Sequence, residues 1–246
     1  MNALEMDPGI KVLVVGGGIF GTRALMHSKR EGNRTLVIDI DGSCRARSQC
    51  ESVVKDFSDI GSGKAGFMMG KAVNETFRIL SDDPPDVIAP CIPGHLAGLV
   101  LEKAMEVHDV PYVKGSRRMI DVMSRLDPDL VFKSDLHSGT LVTSLMTPGG
   151  TCDPGCGQPE DRCPVSGMIK GDRMDAILSE ACSGTLDASL VLTSNLVGPG
   201  VGCFNSKQLI GFIETVVVDR APISVAVGTS CSCHGILSFY DVWTAP

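Results

Sequence analysis

A glycine-rich turn near the N-terminus constrains the fold more than any other feature of this sequence. Gly16, Gly18 and Gly21 follow the apolar run KVLVV of residues 11–15 and precede a stretch of helical composition. The three glycines have the G-x-G-x-x-G spacing, which carries structural meaning only where a strand comes before it and a helix after it. Both are expected here, so the segment predicts a parallel strand that turns sharply into a helix.

This context predicts a dinucleotide-binding site. Gly16 would permit the tight turn, Gly18 would let a pyrophosphate approach the backbone, and Gly21 would let the helix pack against the strand. The helix N-terminus then offers free N–H groups and the positive end of the helix dipole to the phosphates. The residues expected to contact the dinucleotide are Gly16, Gly18, Ile19, Phe20 and Gly21.

An acidic residue at the end of the next apolar run points to NAD. Asp39 ends the run RTLVID, and Asp41 lies close enough to share its task. A carboxylate there accepts hydrogen bonds from the ribose hydroxyls of NAD and repels the 2′-phosphate of NADP. Arg45 and Arg47 leave room for NADP, and the motif also leaves FAD, ADP and ATP open.

Strand-like and helix-like segments alternate along the first half of the chain. Strands are expected at residues 11–15, 34–40, 85–90 and 110–113, with helices between them, including 43–55 and 68–80. Such alternation is typical of α/β proteins with a doubly wound parallel sheet. The pattern changes near residue 125: residues 129–146 predict two strands around a Ser-Gly turn, and residues 170–182 predict a helix. Strand character returns in several later segments, including 211–218. We therefore expect a dinucleotide-binding domain over 1–125 and a cysteine-rich mixed α+β region over 126–246.

The segment KVLVVGGGIFGTRAL followed by LVIDID resembles several Rossmann families. These are the nucleotide-binding domains that regulate potassium uptake (TrkA-N-like), saccharopine-dehydrogenase-like proteins and the precorrin-2 dehydrogenases of sirohaem synthesis. The resemblance covers about the first 45 residues well and residues 85–115 loosely. It implies a Rossmann-like fold and a nicotinamide or adenine nucleotide, without choosing one family.

The segment after the third expected strand, Ala89 to His95, leaves the sheet at its carboxyl edge, where ligands bind in open α/β sheets. Cys91 and His95 would therefore lie near a substrate or nicotinamide, with His95 as a proton donor or metal ligand. The favoured interpretation is simpler: the prolines and glycine shape a tight turn, and His95 caps the helix or faces solvent.

Cysteine usage is the second unusual feature. Seven of the ten cysteines lie from Cys152 onward. Cys152, Cys156 and Cys163 form C-x3-C-x6-C-P in a Gly/Pro-rich segment with no strand or helix period, so metal binding would stabilise a loop that has little core of its own. Unligated thiols and a disulfide pair are the alternatives.

A fourth ligand has to come from elsewhere in the chain. Cys231 and Cys233, followed by His234, form the run most typical of a ligand or redox-active loop, whereas Cys182 and Cys203 are equally compatible with a core. The Cys-Pro pair favours an iron–sulfur cluster, expected to be [4Fe–4S]. Zinc is the second alternative, because structural zinc sites usually have paired C-x2-C units and this sequence has none.

Charge and hydropathy exclude some partners. The formal net charge of −7 disfavours binding to nucleic acid, and no run of 18 apolar residues predicts a membrane span. The first eight residues lack the basic and apolar regions of a signal peptide, which favours a cytoplasmic location. A homodimer is the expected assembly, and the small-molecule substrate or redox partner is not indicated.

Three functions fit these features. The first is an NAD-linked redox enzyme in which the dinucleotide works with a cysteine-ligated iron–sulfur centre. The second is a sensor or regulatory module that binds both groups without turnover. The third is a sulfur- or metal-handling protein that uses an open cluster or the pair Cys231 and Cys233.

Overall fold

The computed structural model describes residues 9–115, 117–146, 150, 152–153, 156–157, 159–196, 200–218 and 223–243. These residues form a mixed α/β protein with two mixed sheets. The strands are β1 Lys11–Val15, β2 Arg34–Asp39, β3 Ser52–Val53, β4 Ala65–Met69, β5 Val87–Pro90, β6 Tyr112–Lys114, β7 Val131–Asp135, β8 Thr140–Ser144, β9 Ala188–Thr193, β10 Asn195–Leu196, β11 Gly202–Asn205, β12 Ile223–Ser230 and β13 His234–Val242. The α-helices are α1 Ile19–Arg30, α2 Ala72–Asp82, α3 Leu96–Val107, α4 Arg118–Met123, α5 Met174–Cys182 and α6 Ser206–Val218.

The chain divides into two compact units. The N-terminal unit comprises the described parts of Asn2–Leu96 and Asn195–Ile210, and the C-terminal unit those of Ala97–Ser194 and Gly211–Pro246. The boundary expected near residue 125 thus falls inside the C-terminal unit, because β6 pairs with β13 rather than with the first sheet. Within the described residues, no helix is long and apolar enough to cross a membrane.

The N-terminal unit contains a seven-stranded sheet in the order β10-β11-β5-β1-β2-β4-β3. The strands from β5 to β3 run parallel, and the hairpin β10–β11 extends the sheet antiparallel to β5. Both faces of the parallel strands are covered, so their residues form near-continuous apolar runs, as in VLVV of β1. Late strands therefore do join the first sheet.

Two segments, one in this unit and one at its border, form secondary structure other than that expected from the sequence. Residues 68–80 were expected to be one helix, but 65–69 form β4 between β2 and β3, because Gly66 allows close packing: a Cβ there would lie 2.4 Å from Val54 Cγ2. Residues 211–218 were expected to be a strand, yet they belong to α6. Its buried residues Leu209, Ile213 and Val216 have helical spacing, and burial of that face outweighs the β-propensity of the valines.

The C-terminal unit contains a six-stranded mixed sheet. Its main order is β7-β8-β13-β12-β9, and β6 pairs with the part of β13 that β8 leaves uncovered. The expected pair of strands around a Ser-Gly turn is confirmed as β7 and β8, and the helix expected at 170–182 as α5. The core beneath this sheet includes Leu178 of α5, Leu237 and Phe239 of β13, and the buried thiols of Cys163 and Cys233.

Candidate functional sites

The glycine turn lies at the carboxyl end of β1 and leads directly into α1. Gly16 has φ of 104°, and a Cβ there would lie 2.5 Å from the carbonyl oxygen of Cys91. A Cβ at Gly21 would lie 1.8 Å from the carbonyl oxygen of Gly16, so the helix packs against the turn with no room for a side chain. A Cβ at Gly18 would meet no atom within 4 Å. Two of the glycines are therefore required by the fold, whereas Gly18 faces open space.

The first turn of α1 borders the same space. Gly18 caps the helix through its backbone, and its carbonyl accepts the N–H of Thr22 at 2.9 Å. The side chains of Ile19 and Phe20 are 55% and 47% exposed. The N–H groups of a first helical turn have no acceptor within the helix, so this end of α1 offers donors to an anion.

Asp39 ends β2 beside the turn. Its carboxylate accepts hydrogen bonds from the backbone N–H groups of Gly17 and Asp41. The carboxylate of Asp41 is exposed and accepts both the N–H and the hydroxyl of Ser43, which lower its pKa. Asp39 is thus held in a fixed orientation, and Asp41 is engaged by its own turn.

The segment after β2 also contacts the glycine turn. The N–H of Ala46 donates to the carbonyl of Gly17, and the thiol of Cys44 lies where a Cβ of Gly17 would be. Residues 43–55 were expected to be a helix, but they form a 3-10 turn at 45–49 followed by β3. Arg47 stacks over the ring of Phe67, whereas Arg45 is exposed.

A cavity of about 440 Å³ opens at this edge of the N-terminal unit. It is lined by Phe20 of α1, by residues 90–93 after β5 and by residues 200–202 at the start of β11. The lining is apolar apart from the backbone and the thiol of Cys91, whose pKa burial raises to about 12. Cys91 is therefore a neutral thiol at physiological pH, and the cavity suits an uncharged, flat group.

His95 is 8% exposed, and burial lowers its pKa to about 4. It is therefore a neutral imidazole near pH 7 and holds no proton there to donate as an acid. The favoured interpretation is wrong in so far as it has His95 facing solvent, because the side chain is buried; His95 directly precedes Leu96, the first residue of α3.

The buried histidine makes stability depend on pH. Because the pKa of His95 is lower in the folded chain than its unfolded value of about 6.5, its contribution is complete above that value and is lost as pH falls toward 4. We expect the free energy of unfolding to fall by about 2 kcal/mol between pH 7 and pH 5 because of His95 alone. Urea unfolding of His95→Gln at both pH values should show a smaller loss than the wild type. In the control His108→Gln, where the histidine is exposed, the decrease in unfolding free energy from pH 7 to pH 5 should equal that of the wild type. An equal decrease in all three proteins would contradict a buried, neutral His95.

The cysteines expected to bind metal lie in one region of the C-terminal unit. Cys163 is followed by a turn in which the N–H of Ser166 donates to its Sγ at 3.5 Å. Cys231 lies in the connection between β12 and β13, where the N–H of Cys233 donates to its Sγ at 3.4 Å. The ring nitrogen Nδ1 of His234 is 3.6 Å from the same sulfur.

These hydrogen bonds separate the thiols by acidity. Burial raises the pKa of Cys163, but bonds from the hydroxyl and N–H of Ser166 and from the N–H of Val165 outweigh it and lower the pKa. The bond from the Cys233 thiol, helped by the N–H groups of Cys233 and His234, lowers the pKa of Cys231. Cys233 keeps its proton, because that bond and burial raise its pKa. Cys163 and Cys231 are thus the thiols most readily ionised.

The loop cysteines lie close to this pair of turns. Cys152 is exposed as a residue, but its thiol is partly buried. This burial, and after it the negative charges of Cys156, Cys233 and Cys163, raise the pKa of Cys152. The charge of Cys152 in turn acts on Cys231. Cys152 therefore lies within electrostatic range of the other four expected ligands. The described residues nevertheless contain no group of three side chains that could hold a metal ion.

The cysteines outside the expected ligand set lie elsewhere, and two other residues contact the expected ligands. Cys44, Cys50 and Cys203 belong to the N-terminal unit, and Cys182 is buried in the core of the C-terminal unit. The sequence analysis did not identify two residues that contact these cysteines. The side chain of Lys170 hydrogen-bonds to Cys233, and the N–H of Ser166 donates to the sulfur of Cys163. The Cys-Pro-x-Ser-Gly sequence at 163–167 was the available signal for Ser166, because the glycine has φ of 72° and closes a turn on Cys163.

Comparison with known proteins matches the two parts of the chain to an N-terminal and a C-terminal domain model. The model of the family AF_1314_C, described as "Uncharacterized protein, C-terminal domain", matches residues 96–243, and that of AF_1314_N, "Uncharacterized protein, N-terminal domain", matches residues 11–96. The chain belongs to this AF_1314 family. The matched ranges meet at residue 96, where the two compact units also divide.

Other comparisons are more distant. The crystal structure of N5-carboxyaminoimidazole synthetase from Staphylococcus aureus is 15% identical with a TM-score of 0.27; the match covers 61% of this chain and 42% of that one. The chain thus spans less than half the length of that structure. No curated protein matches the sequence.

Proposed function

We propose that this chain is an NAD-linked redox protein in which a Rossmann-like N-terminal unit binds the dinucleotide and the C-terminal unit holds a cysteine-ligated iron–sulfur centre. One observation carries the proposal. Gly16 and Gly21 have no space for a side chain, whereas Gly18 faces open space between them. A pyrophosphate that approaches the backbone closely requires that combination.

The arrangement of the sheet supports this reading. The parallel strands β4, β2, β1 and β5 are neighbours in that order, which corresponds to strands 3-2-1-4 of the Rossmann order 3-2-1-4-5-6. Phosphates would lie at the N-terminus of α1, and the cavity lined by Phe20 and residues 90–93 would receive an uncharged ring such as the dihydronicotinamide of NADH.

The position of Asp39 favours NAD over NADP. Its carboxylate is fixed by two backbone N–H groups, and its free lone pairs remain available to ribose hydroxyls. A 2′-phosphate would meet this negative charge. Exposed Arg45 is the residue through which NADP would gain affinity, and FAD stays a weaker alternative.

The donor set of the C-terminal unit fits a soft metal centre. Cys152, Cys156, Cys163, Cys231 and Cys233 supply thiolate ligands from two separate segments, and iron–sulfur clusters are held by such thiolates. Zinc would use the same ligands. A bound cluster would accept one electron at a time, so one NADH, which gives up two electrons and releases one proton as it becomes NAD⁺, would reduce two clusters.

The test is an anaerobic purification followed by a visible spectrum, analysis of iron, sulfide and zinc, and titration with NADH or NADPH. We expect absorbance near 400 nm with matching iron and sulfide, and bleaching of that absorbance by NADH more readily than by NADPH. A protein that binds NADH without bleaching would contradict the redox enzyme. Protein that binds neither dinucleotide would overturn the nucleotide site.

A sensor or regulatory module is the second candidate, and the cavity favours it. Cys91 and His95 are both neutral near pH 7, so the part of this edge that the structure describes offers little acid–base chemistry for turnover. Binding of NADH that changes the spectrum of the centre, with no consumption of NADH in the presence of artificial acceptors, would favour this function.

Sulfur or metal handling is the third candidate, favoured by the lowered pKa of Cys231 beside a protonated Cys233. The thiolate of Cys231 would attack the outer sulfur of a donor persulfide, so that the new S–S bond forms as the donor's S–S bond breaks and the donor leaves as a thiol. Persulfide on Cys231 in protein purified without metal would favour this function over electron transfer.

A further inference from the structure

The short connection between β12 and β13 carries two cysteines, Cys231 and Cys233. The N–H of Cys231 donates to the carbonyl of His234 at 2.9 Å, which closes the connection as a tight turn. The hydroxyl of Ser230 donates to the carbonyls of Cys231 at 3.0 Å and His234 at 2.8 Å. The backbone that carries the two sulfurs is therefore fixed by a hydrogen-bonded hairpin.

Neighbouring elements hold the same turn from outside. The N–H of Met174, the first residue of α5, donates to the carbonyl of Ser232 at 3.2 Å. The N–H of Ser194, directly after β9, donates to the carbonyl of Ser230 at 2.7 Å. Strands β9 and β12 are parallel, so the turn is anchored at their carboxyl ends, beside the N-terminus of α5.

The two sulfurs of the turn differ in their access to solvent. Cys231 is partly exposed, whereas Cys233 is 4% exposed and belongs to the buried core against which Cys231 packs. The N–H of Cys233 donates to the Sγ of Cys231 at 3.4 Å, and its thiol also hydrogen-bonds to that sulfur. A reagent in solution therefore meets the sulfur of Cys231 first, and the sulfur of Cys233 lies directly behind it.

His234 places a proton acceptor beside the accessible sulfur. Its Nδ1 lies 3.6 Å from the Sγ of Cys231. Its Nε2 is buried and has no hydrogen-bond partner within the part of the chain that the structure describes. The imidazole therefore makes its contact with the sulfur through Nδ1. A cysteine with an imidazole in hydrogen-bond reach is the arrangement that activates a thiol as a nucleophile.

We propose that Cys231 and Cys233 form a dithiol that reduces small-molecule disulfides, with Cys231 as the attacking thiol and Cys233 as the resolving thiol. The sulfur of Cys231 passes its proton to His234 and attacks one sulfur of the substrate, so that a mixed disulfide forms and the first half of the substrate leaves as a thiol with that proton. Cys233 then attacks the Sγ of Cys231, and the second half leaves as a thiol with the proton of Cys233. Two electrons thus pass from the dithiol, which becomes a disulfide, to the substrate.

The surroundings of the turn indicate the size of the substrate. Cys231 is only partly exposed, and α5 and the end of β9 border the turn, so a small-molecule disulfide has better access than a disulfide of a folded protein. This activity goes beyond the NAD-linked function and belongs to the metal-free chain, because thiolates bound to a cluster are not available for exchange.

The decisive experiment treats reduced, chelator-treated protein with oxidised glutathione, then alkylates the remaining thiols and maps them. Trypsin cleaves after Arg220, and residues 221–246 contain Cys231 and Cys233 as their only cysteines, so one peptide reports on the pair. We expect this peptide to become lighter by two hydrogen atoms, to escape alkylation and to carry no glutathione. Cys233→Ser is expected to lose that disulfide and to retain glutathione on Cys231, because the resolving thiol is absent.

The matched control is Cys182→Ala. Cys182 is a buried cysteine of the same unit outside the turn, so this variant should form the disulfide between Cys231 and Cys233 as the wild type does. A wild-type peptide with both cysteines alkylated, or with glutathione retained on Cys231, would overturn the proposal without reliance on any variant. Because no metal takes part, either result would leave the NAD-linked function untouched.

A second measurement separates the turn from ordinary thiol reactivity. We expect oxidation of the pair to be at least about ten-fold faster in the folded chain than in the chain unfolded in urea, because the fold orients both sulfurs and the imidazole. Equal rates in the two states would overturn the proposal, since exchange would then owe nothing to the geometry of the turn.

Discussion

Gly18→Val is expected to weaken the binding of NADH by at least about 100-fold, because two charge-assisted hydrogen bonds from backbone N–H groups to phosphate are each worth about 1.5–3 kcal/mol. The valine side chain would occupy the open space in front of the turn, where the pyrophosphate has to approach. Gly18 has φ of −71°, which an L-residue adopts readily, and no atom lies within 4 Å of the added Cβ. The fold should therefore survive a substitution that removes the site.

The matched control is Gly61→Val. Gly61 precedes β4 and so belongs to the opposite edge of the same sheet, and its nearest neighbour would be the flexible side chain of Lys64 at 3.8 Å. Thermal unfolding of both variants measures any loss of stability, and NADH fluorescence measures binding. If folded Gly18→Val bound NADH as tightly as Gly61→Val, the glycine turn would not be the phosphate site.

Asp39→Asn is expected to weaken the binding of NADH by about 10- to 100-fold, the range for loss of hydrogen bonds to a charged acceptor. Binding of NADPH should become stronger in the same variant, because the charge that repels the 2′-phosphate is removed. Asparagine keeps one acceptor oxygen for the N–H of Gly17, so the turn itself should persist. The ratio of the two dissociation constants is the quantity to measure.

Asp41→Asn is the control for this change. The Asp41 carboxylate already accepts two hydrogen bonds from Ser43 and is exposed, so its removal should leave the ratio of dissociation constants close to that of the wild type. A larger change in Asp41→Asn than in Asp39→Asn would transfer the ribose contact to Asp41 and contradict the position assigned to Asp39.

The geometry of the glycine turn could be predicted from the sequence because it is local. A strand, a turn that needs glycine and a helix are specified within residues 11–30, and the structure has β1, the positive φ of Gly16 and α1 in those places. The acidic residue at the end of β2 follows from the same parallel alternation.

Other elements depended on contacts that are distant in sequence. β4 is a strand because β2 and β3 flank it and Gly66 admits the side chain of Val54, and neither fact is visible in the run of residues 65–80. The hairpin β10–β11 joins β5 across more than 100 residues, with Phe204 opposite Ile88. Local propensity cannot report such pairings, since strand pairing stabilises a segment only when its partner is in place.

The cysteines show the same division. The sequence by itself identified Cys152, Cys156, Cys163, Cys231 and Cys233 as candidates, because their spacing and their Gly/Pro-rich surroundings are local properties. Only the tertiary structure decided that segments about 70 residues apart lie together and that backbone N–H groups point at two of the sulfurs. The chain fixes which atoms are available, whereas packing of the sheet and its buried core fixes the distances between them, and the chemistry of a thiol depends on those distances.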